Sequence, residues 1–337
     1  MNAEVSIVGV GVVGGRAARE IVSGSSMKVA LGSERADRRA ELARVFGRSA
    51  DVSDRSGAVS GATRVVVLSG DDDQQVADAG AHLDAGRHVV TTVTSHAAAR
   101  GLVDLNERAV SNERALVVGA GFSPGLTDVL TAYAGARFDT VEEVHVARHG
   151  SAGPRCAEAT DRALVRAAHV LHDGGFERRS VGGGRQLCWF PDPIGGRDAF
   201  YADTAEPLIA QLGNAGVVRA SARITSSALR RVRTRLSWVP APSMGDGEGG
   251  IGAVRVEVRG TLSGGRRSAV LGSLDRPGVA AAALIAEIVV VLMEPTAPGG
   301  VMGPGRLIDG AEMLRRLRAR GVRVAELASD LPADPAA

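Results

Sequence analysis

The sequence is short of several residue types, and each shortage argues against a class of function. Aromatic residues make up 3% of the 337 residues, so few side chains are available to stack on nucleic-acid bases. The formal net charge of +2 is too small to indicate a polyanionic partner, and we expect no nucleic-acid binding. Lys28 is the only lysine and begins a predicted strand, which argues against Schiff-base catalysis.

Cysteines and long apolar runs are also scarce. Cys156 and Cys188 are too few for a disulfide framework and lack the spacing of a metal site, so we expect no metal. The run from Pro277 to Met293 is strongly apolar, but Glu287 interrupts it and it is slightly short for a membrane span. We therefore predict a buried or subunit-interface helix there, no membrane association and a homodimer. The N-terminus lacks the regions of a signal peptide, and we expect a cytoplasmic protein.

A glycine fingerprint follows directly on the first apolar run. Val5 to Val8 is typical of a buried parallel strand, G-x-G-x-x-G follows it, and Arg16 to Ser23 is predicted to be helical. The first glycine permits a tight turn, the second lets a pyrophosphate approach the backbone, and the third lets helix and strand pack closely. This order predicts dinucleotide binding by Gly9, Gly11, Val12, Val13 and Gly14. The alternative is a structural glycine turn in another α/β protein.

The first third of the chain alternates between strand and helix patterns. Strands are predicted at 28–32, 64–69, 88–92 and 116–119, which indicates an α/β fold with a doubly wound parallel sheet, a Rossmann domain over residues 1–124.

The pattern changes after a helix predicted at 124–136. Val144 and Val146 alternate with His145 and Ala147, and valines alternate with charged residues at 254–259. Gly264-Gly265 is placed for a hairpin turn. We predict a second, α+β domain over 125–275 with a mixed or antiparallel sheet, and a loop at 240–250. C-terminal helices in 276–337 are expected to return to the Rossmann domain.

A second motif, Gly119-Ala120-Gly121-Phe122-Ser123-Pro124-Gly125-Leu126-Thr127-Asp128, follows the last predicted Rossmann strand. Together with the fingerprint it resembles the saccharopine dehydrogenase-like family of NAD(P)-dependent oxidoreductases. The similarity extends through Cys188-Trp189-Phe190-Pro191 and residues 295–321. The resemblance implies a two-domain oxidoreductase for imines, secondary amines or other small carbonyl-derived substrates. The Lys–His pair of lysine-forming members is not carried over, because Lys28 lies in the wrong place.

The residues after the second strand bear on the choice between NAD and NADP. Gly32 and Ser33 are small enough to leave room for a 2′-phosphate, and the arginines that follow can pair with it: Arg35, Arg38 and Arg39. If Glu34 turned inward it would repel that phosphate and select NAD. We favour NADP. The alternative is that Arg38 and Arg39 form an ordinary solvated helix face.

Ligands of doubly wound sheets bind beyond the carboxyl ends of the strands, which selects further polar residues. Those expected to line the cofactor are Ser69, Gly70, Thr92, Thr94 and Ser123. Hydride transfer also needs a proton donor or a fixed charge near the substrate, and the candidates are His96, Asp128 and His149. His96 is equally explained as a capping or loop histidine, and Asp128 as a satisfied helix acid.

Arginine is the natural partner of a substrate carboxylate, because its planar fork matches two oxygens. The residues predicted to contact substrate are Arg148, Arg155, Arg162, Trp189 and Arg197. The arginines can also be surface charges in a chain with one lysine, and Trp189 can be a core residue.

The leading function is that of an NAD(P)-dependent oxidoreductase acting on a small, amino-acid-like imine, secondary amine or keto compound. The alternative is a non-catalytic dinucleotide-binding sensor or scaffold. A third function, reduction of a lipid-like enoyl substrate, fits the arginine-rich 148–162 region less well. The presence of proton donors near the nicotinamide would distinguish the oxidoreductase from the sensor, because a sensor does not need a proton donor.

Overall fold

The computed structural model describes residues 3–226 and 249–331, and the first of its two sheets has seven parallel strands. They are β1 (Val5–Val8), β2 (Val29–Gly32), β3 (Ala50–Ser53), β4 (Val65–Leu68), β5 (His88–Thr91), β6 (Ala115–Val117) and β15 (Gly300–Met302). Their order is β3-β2-β1-β4-β5-β6-β15. The direction of winding therefore reverses between β1 and β4, where ligands of such sheets bind. The predicted Rossmann sheet is confirmed.

Five helices follow the strands of this sheet: α1 (Val12–Gly24), α2 (Ala36–Phe46), α3 (Asp72–Asp84), α4 (His96–Val103) and α5 (Asn106–Ser111). Every residue of β1 and β4 is buried, as their unbroken apolar sequences require. Asp71 begins α3, because its carboxylate accepts hydrogen bonds from the backbone N–H groups of Asp73 and Gln74.

The second sheet is mixed, also as expected. Its strands are β7 (Thr140–His149), β8 (Ala168–His172), β9 (Gly175–Arg179), β10 (Gln186–Phe190), β11 (Gly195–Tyr201), β12 (Arg219–Thr225), β13 (Gly252–Leu262), β14 (Gly265–Asp275) and β16 (Val324–Ser329). The order is β10-β11-β12-β7-β13-β14-β16, with the β8–β9 hairpin attached to β12. β7 and β12 are parallel, and the other pairs are antiparallel.

The segments between these strands supply α6 (Leu126–Gly135), α7 (Pro154–Val165) and α8 (Glu206–Gly213). Valines 144, 146, 254, 256 and 258 all point to the same core as α6, which explains their alternation in the sequence. One face of the second sheet therefore covers the helix that follows β6.

The C-terminal segment contributes to both sheets. It contains α9 (Pro277–Leu292), a 3₁₀ turn at Pro304–Arg306 and α10 (Gly310–Ala319), while β15 joins the first sheet and β16 the second. The apolar helix α9 is buried and packs along α1, and its Glu287 accepts a hydrogen bond from Arg320. Within the ranges that the structure describes, no helix has the length and apolar character to cross a membrane.

Eight of the described strands were not predicted, and β3, β9 and β16 show why. Each is short and largely exposed or half-buried, so none carries the long apolar run or alternation that marks a strand. Of the loop predicted at 240–250, residues 240–248 lie outside the described residues.

Candidate cofactor and active site

The three glycines of the fingerprint have different surroundings. Gly9 has φ +91°, and a Cβ on it would lie 1.6 Å from the carbonyl oxygen of Ser69, so only glycine fits. A Cβ on Gly14 would lie 3.1 Å from the carbonyl oxygen of Gly9, which keeps α1 tight against the turn. A Cβ on Gly11 would meet nothing within 4 Å. Gly9 and Gly14 therefore shape the turn, and Gly11 leaves open space beside it.

The start of α1 fits the pyrophosphate of a dinucleotide. Its N-cap, Gly11, has no side chain to bond the first N–H groups, and no acidic residue lies in the first turn. These groups carry partial positive charge and suit an anion. The start of α9 lies beside them, because a Cβ on Gly278 would be 3.2 Å from the side chain of Val12. The residues present thus fit the pyrophosphate of a dinucleotide.

Two arginines of α2 reach back over the turns that follow β1 and β2. Arg38 donates from Nε to the carbonyl of Val10 at 3.0 Å and from Nη2 to that of Gly11 at 3.4 Å. Arg39 donates from Nη1 to the carbonyls of Ser33 at 2.8 Å and Glu34 at 2.7 Å. Both guanidinium groups therefore lie beside the turns that a dinucleotide would contact, rather than on a purely solvated face.

The other charged residues of this region are more exposed. Arg35 pairs with Asp37 at the surface. The side chain of Glu34 is 72% exposed, and its carboxylate lies 3.9 Å from Nε of Arg55. Arg38 in turn pairs with Glu41 at 2.5 Å, so the exposed carboxylates of Glu34, Asp37 and Glu41 lie among the arginines of this region.

The residues predicted to follow the cofactor lie at the carboxyl ends of three neighbouring strands. The backbone N–H of Ser69, after β4, donates to the carbonyl of Val8 in β1, and Gly70 has φ +121° with open space around it. Thr92 follows β5, and its backbone N–H donates to Oε1 of Gln75 at 2.7 Å. The carbonyl of Thr94 accepts a bond from the N–H of Ala205, which joins this edge to the loop before α8.

Ser123 lies at the centre of a buried polar group that joins the two domains. It precedes the cis peptide to Pro124 in the loop after β6, and its hydroxyl donates to Oε1 of Glu206, the first residue of α8. Arg148, at the end of β7, donates from Nη1 to the Ser123 carbonyl at 3.4 Å and from Nη2 to Oγ1 of Thr160 at 3.0 Å. All four residues are buried. We call Ser123, Arg148, Thr160 and Glu206 the polar junction.

Sequence reasoning identified Ser123 and Arg148 but missed Glu206 and Thr160. An acid in the first turn of a helix ordinarily interacts with exposed N–H groups there, so Glu206 looks no different from Glu107 at the start of α5. Only the packing of α8 against the loop after β6 makes Glu206 a buried acid.

A polar cleft of about 160 Å³ lies between the domains. Its walls come from the start of α3, the loop after β5, helix α7 and the loop before α8: Asp71, Asp72, Asp73, Thr94, Ser95, Ala159, Arg162, Ala163, Arg166 and Asp203. Arg162 and Arg166 lie one turn apart and are exposed, opposite the acidic start of α3. Asp72 accepts bonds from the N–H groups of Thr94 and Ser95. Arg162 and Arg166 are the positively charged side chains among the residues that line the cleft.

His96 is not part of the cleft wall. Its ring stacks on that of His169 with centroids 4.2 Å apart and 13° between the planes, and its Nδ1 has no partner among the described residues. Burial, followed by the nearby His169, lowers the pKa of His96 to about 4. His96 is therefore neutral at pH 7, while His169 is held through Nδ1 by Asp203 at 2.9 Å.

His149 points away from the polar junction. It follows Arg148 in β7, so the two side chains leave opposite faces of the strand, and Nδ1 of His149 lies 2.9 Å from Oγ1 of Thr225. Burial, with a smaller effect of Arg197, lowers the pKa of His149. Arg197 and Trp189 are exposed on β11 and β10, and Arg155 is exposed on α7. The structure does not bring these four residues together with Ser123 and Arg148.

Asp128 faces the interior behind the glycine–proline loop. Its Oδ2 accepts a hydrogen bond from the N–H of Gly305 at 2.8 Å. Burial raises the pKa of Asp128 to about 6, against the opposing effects of the Gly305 N–H and of Arg306. None of the three predicted proton donors, His96, Asp128 and His149, lines the cleft.

Replacing Asp128 with Asn is expected to change how stability depends on pH. The carboxyl binds its proton more tightly in the folded chain, with a pKa of about 6, than at its ordinary pKa of 3.8, so the wild type loses stability as the pH rises between those values. That displacement corresponds to about 3 kcal/mol. Urea unfolding should show the unfolding free energy of Asp128→Asn rising relative to wild type by up to about 3 kcal/mol from pH 4 to pH 7. A difference that does not vary with pH would contradict the assignment.

The whole fold is similar to solved dehydrogenase structures. Apo saccharopine dehydrogenase (L-Glu forming) from Saccharomyces cerevisiae matches with a TM-score of 0.68 and 12% identity, covering 96% of this chain and 99% of that chain. Amine dehydrogenase from Mycobacterium smegmatis matches with a TM-score of 0.51 and 12% identity, covering 91% and 96%. A probable dehydrogenase from Thermotoga maritima matches with a TM-score of 0.50 and 11% identity, covering 96% and 98%.

No protein-family model and no curated protein matches the sequence. At 11% to 12% identity the structural likeness establishes the fold alone. The fold implied by the sequence resemblance is confirmed: over nearly its whole length, the chain has the fold of saccharopine dehydrogenase.

Proposed function

We propose that the protein is a nicotinamide-dependent oxidoreductase that prefers NADP and acts on a small, amino-acid-like imine, secondary amine or keto compound. The observation that carries this is the glycine turn, in which Gly9 and Gly14 hold the backbone and Gly11 leaves open space at the start of α1. The named functions of the similar folds, saccharopine dehydrogenase and amine dehydrogenase, support the same reaction class. The bound dinucleotide would supply or accept the hydride.

The chain's own residues divide the remaining tasks. Arg38 and Arg39 place positive charge beside the turns after β1 and β2, where a 2′-phosphate would be neutralised. Arg162 and Arg166 would hold a substrate carboxylate in the cleft. Ser123 would exchange a proton with the substrate, because it lies at the carboxyl edge of the first sheet with its hydroxyl fixed by Glu206.

Hydride transfer can be tested with NADPH that carries deuterium at C4 on one face or on the other. The protein would be incubated with a panel of 2-oxo acids, with and without small amines, and the products examined by mass spectrometry. We expect deuterium from one face only in an amine or alcohol product. Absence of label in every product, with NADPH binding intact, would overturn the oxidoreductase proposal.

One observation favours the alternative of a non-catalytic dinucleotide sensor: His96, Asp128 and His149 all lie outside the cleft wall. A sensor would bind the dinucleotide and change its domain arrangement without turnover. Small-angle scattering with and without NADPH, on a protein that transfers no deuterium, would support that function.

The preference for NADP has its own test in Arg39→Gln. The substitution removes one positive charge beside the turn after β2, and we expect NADPH affinity to fall about 10-fold and NADH affinity less than about 3-fold. Arg44→Gln is the matched control, because Arg44 is exposed in the last turn of the same helix. Equal losses for both nucleotides in Arg39→Gln would contradict a phosphate-binding role.

A further inference from the structure

A small cavity lies behind the glycine–proline loop. Its volume is about 10 Å³, close to what one buried water molecule needs. It is lined entirely by buried residues: Pro124, Thr127, Asp128, Thr131, Val144, Val146, Glu206, Ile209 and Ala210. Helices α6 and α8 and strand β7 therefore enclose it.

Two polar atoms of the cavity-lining residues have unused hydrogen-bonding capacity. Oε2 of Glu206 and Oγ1 of Thr127 are buried and have no hydrogen-bond partner among the described residues. Glu206 is 7% exposed and Thr127 1% exposed, so bulk solvent does not solvate them. Buried polar groups are costly to leave unpaired, and a bridging water is the usual partner where the space allows one.

Glu206 connects this cavity with the candidate active site. Its Oε1 accepts the hydrogen bond of the Ser123 hydroxyl, whereas its Oε2 is the atom without a partner. On the other side of the cavity, Asp128 is fixed by the Gly305 N–H at 2.8 Å. Two buried carboxyl groups thus line one water-sized space, and one of them also contacts a hydroxyl of the polar junction.

We propose that one water molecule binds in this cavity and that Glu206 and Asp128 share a single proton across it, which Ser123 exchanges with the substrate. The proposal rests on the proposed function for the last step only. Two carboxylates that share a low-dielectric space hold one proton between them, because ionising both is unfavourable. Burial raises the pKa of Asp128 to about 6, so this carboxyl holds a proton more readily than an exposed aspartate does.

One proton moves along the path from the carboxyl pair to the substrate. For reduction, an O–H bond of Ser123 breaks and the substrate atom gains the proton, while Ser123 regains one from the Glu206 carboxyl. When the shared proton lies on Asp128, it first passes through the water to Glu206, which then gives it to Ser123. The carboxyl pair then carries two negative charges instead of one, and takes one proton from solvent after the product leaves. Oxidation uses the same steps in reverse.

The first test needs neither cofactor nor substrate. Infrared difference spectra recorded across pH 5 to 7 should contain the C=O band of a protonated carboxyl, which is absent in Asp128→Asn. The charged groups that face Asp128 are Glu206 from α8 and Arg306 from the 3₁₀ turn. In Glu206→Gln the neighbouring negative charge is lost, so the midpoint of the band should move about one pH unit lower. An unmoved midpoint would overturn the shared proton.

The second test follows turnover. Glu206→Gln should lower kcat about 10- to 100-fold and change its pH profile, while NADPH affinity stays at the wild-type value. Glu107→Gln is the matched control, since Glu107 is an exposed acid in the first turn of α5. If Glu206→Gln does not fold, Thr127→Val takes its place, since it removes one partner of the water and should also shift the band. Unchanged kcat and pH profile in Glu206→Gln would overturn the role of the pair.

The two tests separate the two proposals. A shifted infrared band in a protein that never transfers deuterium would leave the shared proton intact and refute the oxidoreductase function. Deuterium transfer with an unmoved band would support the oxidoreductase function and refute the shared proton.

Discussion

Gly11→Asp should lower NADPH affinity about 1000-fold, or roughly 4 kcal/mol, without loss of stability. The new carboxylate would occupy the open space beside Gly11 and repel the pyrophosphate from the start of α1. The fold tolerates it, because a Cβ on Gly11 meets nothing within 4 Å and its φ of −88° is accessible to any residue.

The same substitution should make the free protein slightly more stable. Gly11 is the N-cap of α1 and provides no side-chain cap, and aspartate is among the preferred residues at that position. Urea unfolding should therefore show a free energy of unfolding equal to wild type or higher by a few tenths of a kcal/mol.

NADPH fluorescence measures the affinity, and Gly61→Asp serves as the control. Gly61 is exposed and a Cβ on it also meets nothing within 4 Å, so it adds the same charge away from the turn. Unchanged NADPH affinity in Gly11→Asp would refute the cofactor site. Equal losses in both variants would show only an effect of net charge.

Arg148→Met should cost about 2 to 4 kcal/mol of unfolding free energy and abolish turnover. Arg148 is 9% exposed and links the Ser123 carbonyl in the first domain to Thr160 in α7. Methionine has similar length but no donors, so both partners lose a hydrogen bond. The Ser123 loop would then lose the buried donor that fixes its carbonyl, and with it the position of the Ser123 hydroxyl on Glu206.

Urea unfolding at pH 7 and the deuterium-transfer assay measure the two effects. Arg155→Met is the control, because Arg155 is exposed in the first turn of α7. We expect it to stay within about 0.5 kcal/mol of wild type. A similarly small change in Arg148→Met would mean that the polar junction does not hold the domains together.

The strands and the glycine turn of the first domain could be predicted because short, contiguous segments of the sequence determine them. Val5 to Val8 and Val65 to Leu68 are unbroken apolar strands, and the glycines follow the first of them directly. Strand β3 could not be predicted, because Asp51 and Ser53 make it polar and it pairs only with β2 at the sheet edge. Here tertiary pairing, rather than local composition, forms the strand.

The candidate active site was only partly predictable, since it is assembled from distant segments. The strand-end rule identified Ser123, and the arginine argument identified Arg148. Glu206 joins the candidate site only through its contact with the Ser123 loop. His96 was predicted as a proton donor from its position after β5. In the structure, its ring instead stacks on His169 of β8, a contact that the local sequence does not indicate. Long-range contacts of this kind leave no local pattern in a single sequence.

The central claim is that the glycine turn binds a nicotinamide dinucleotide, and calorimetric titration of the wild-type protein with NADPH and NADH in parallel tests it most directly. We predict binding of one NADPH per chain, and weaker binding of NADH. Tighter binding of NADH would place Glu34 rather than the arginines in control of the ribose site. Binding of neither nucleotide would contradict the account.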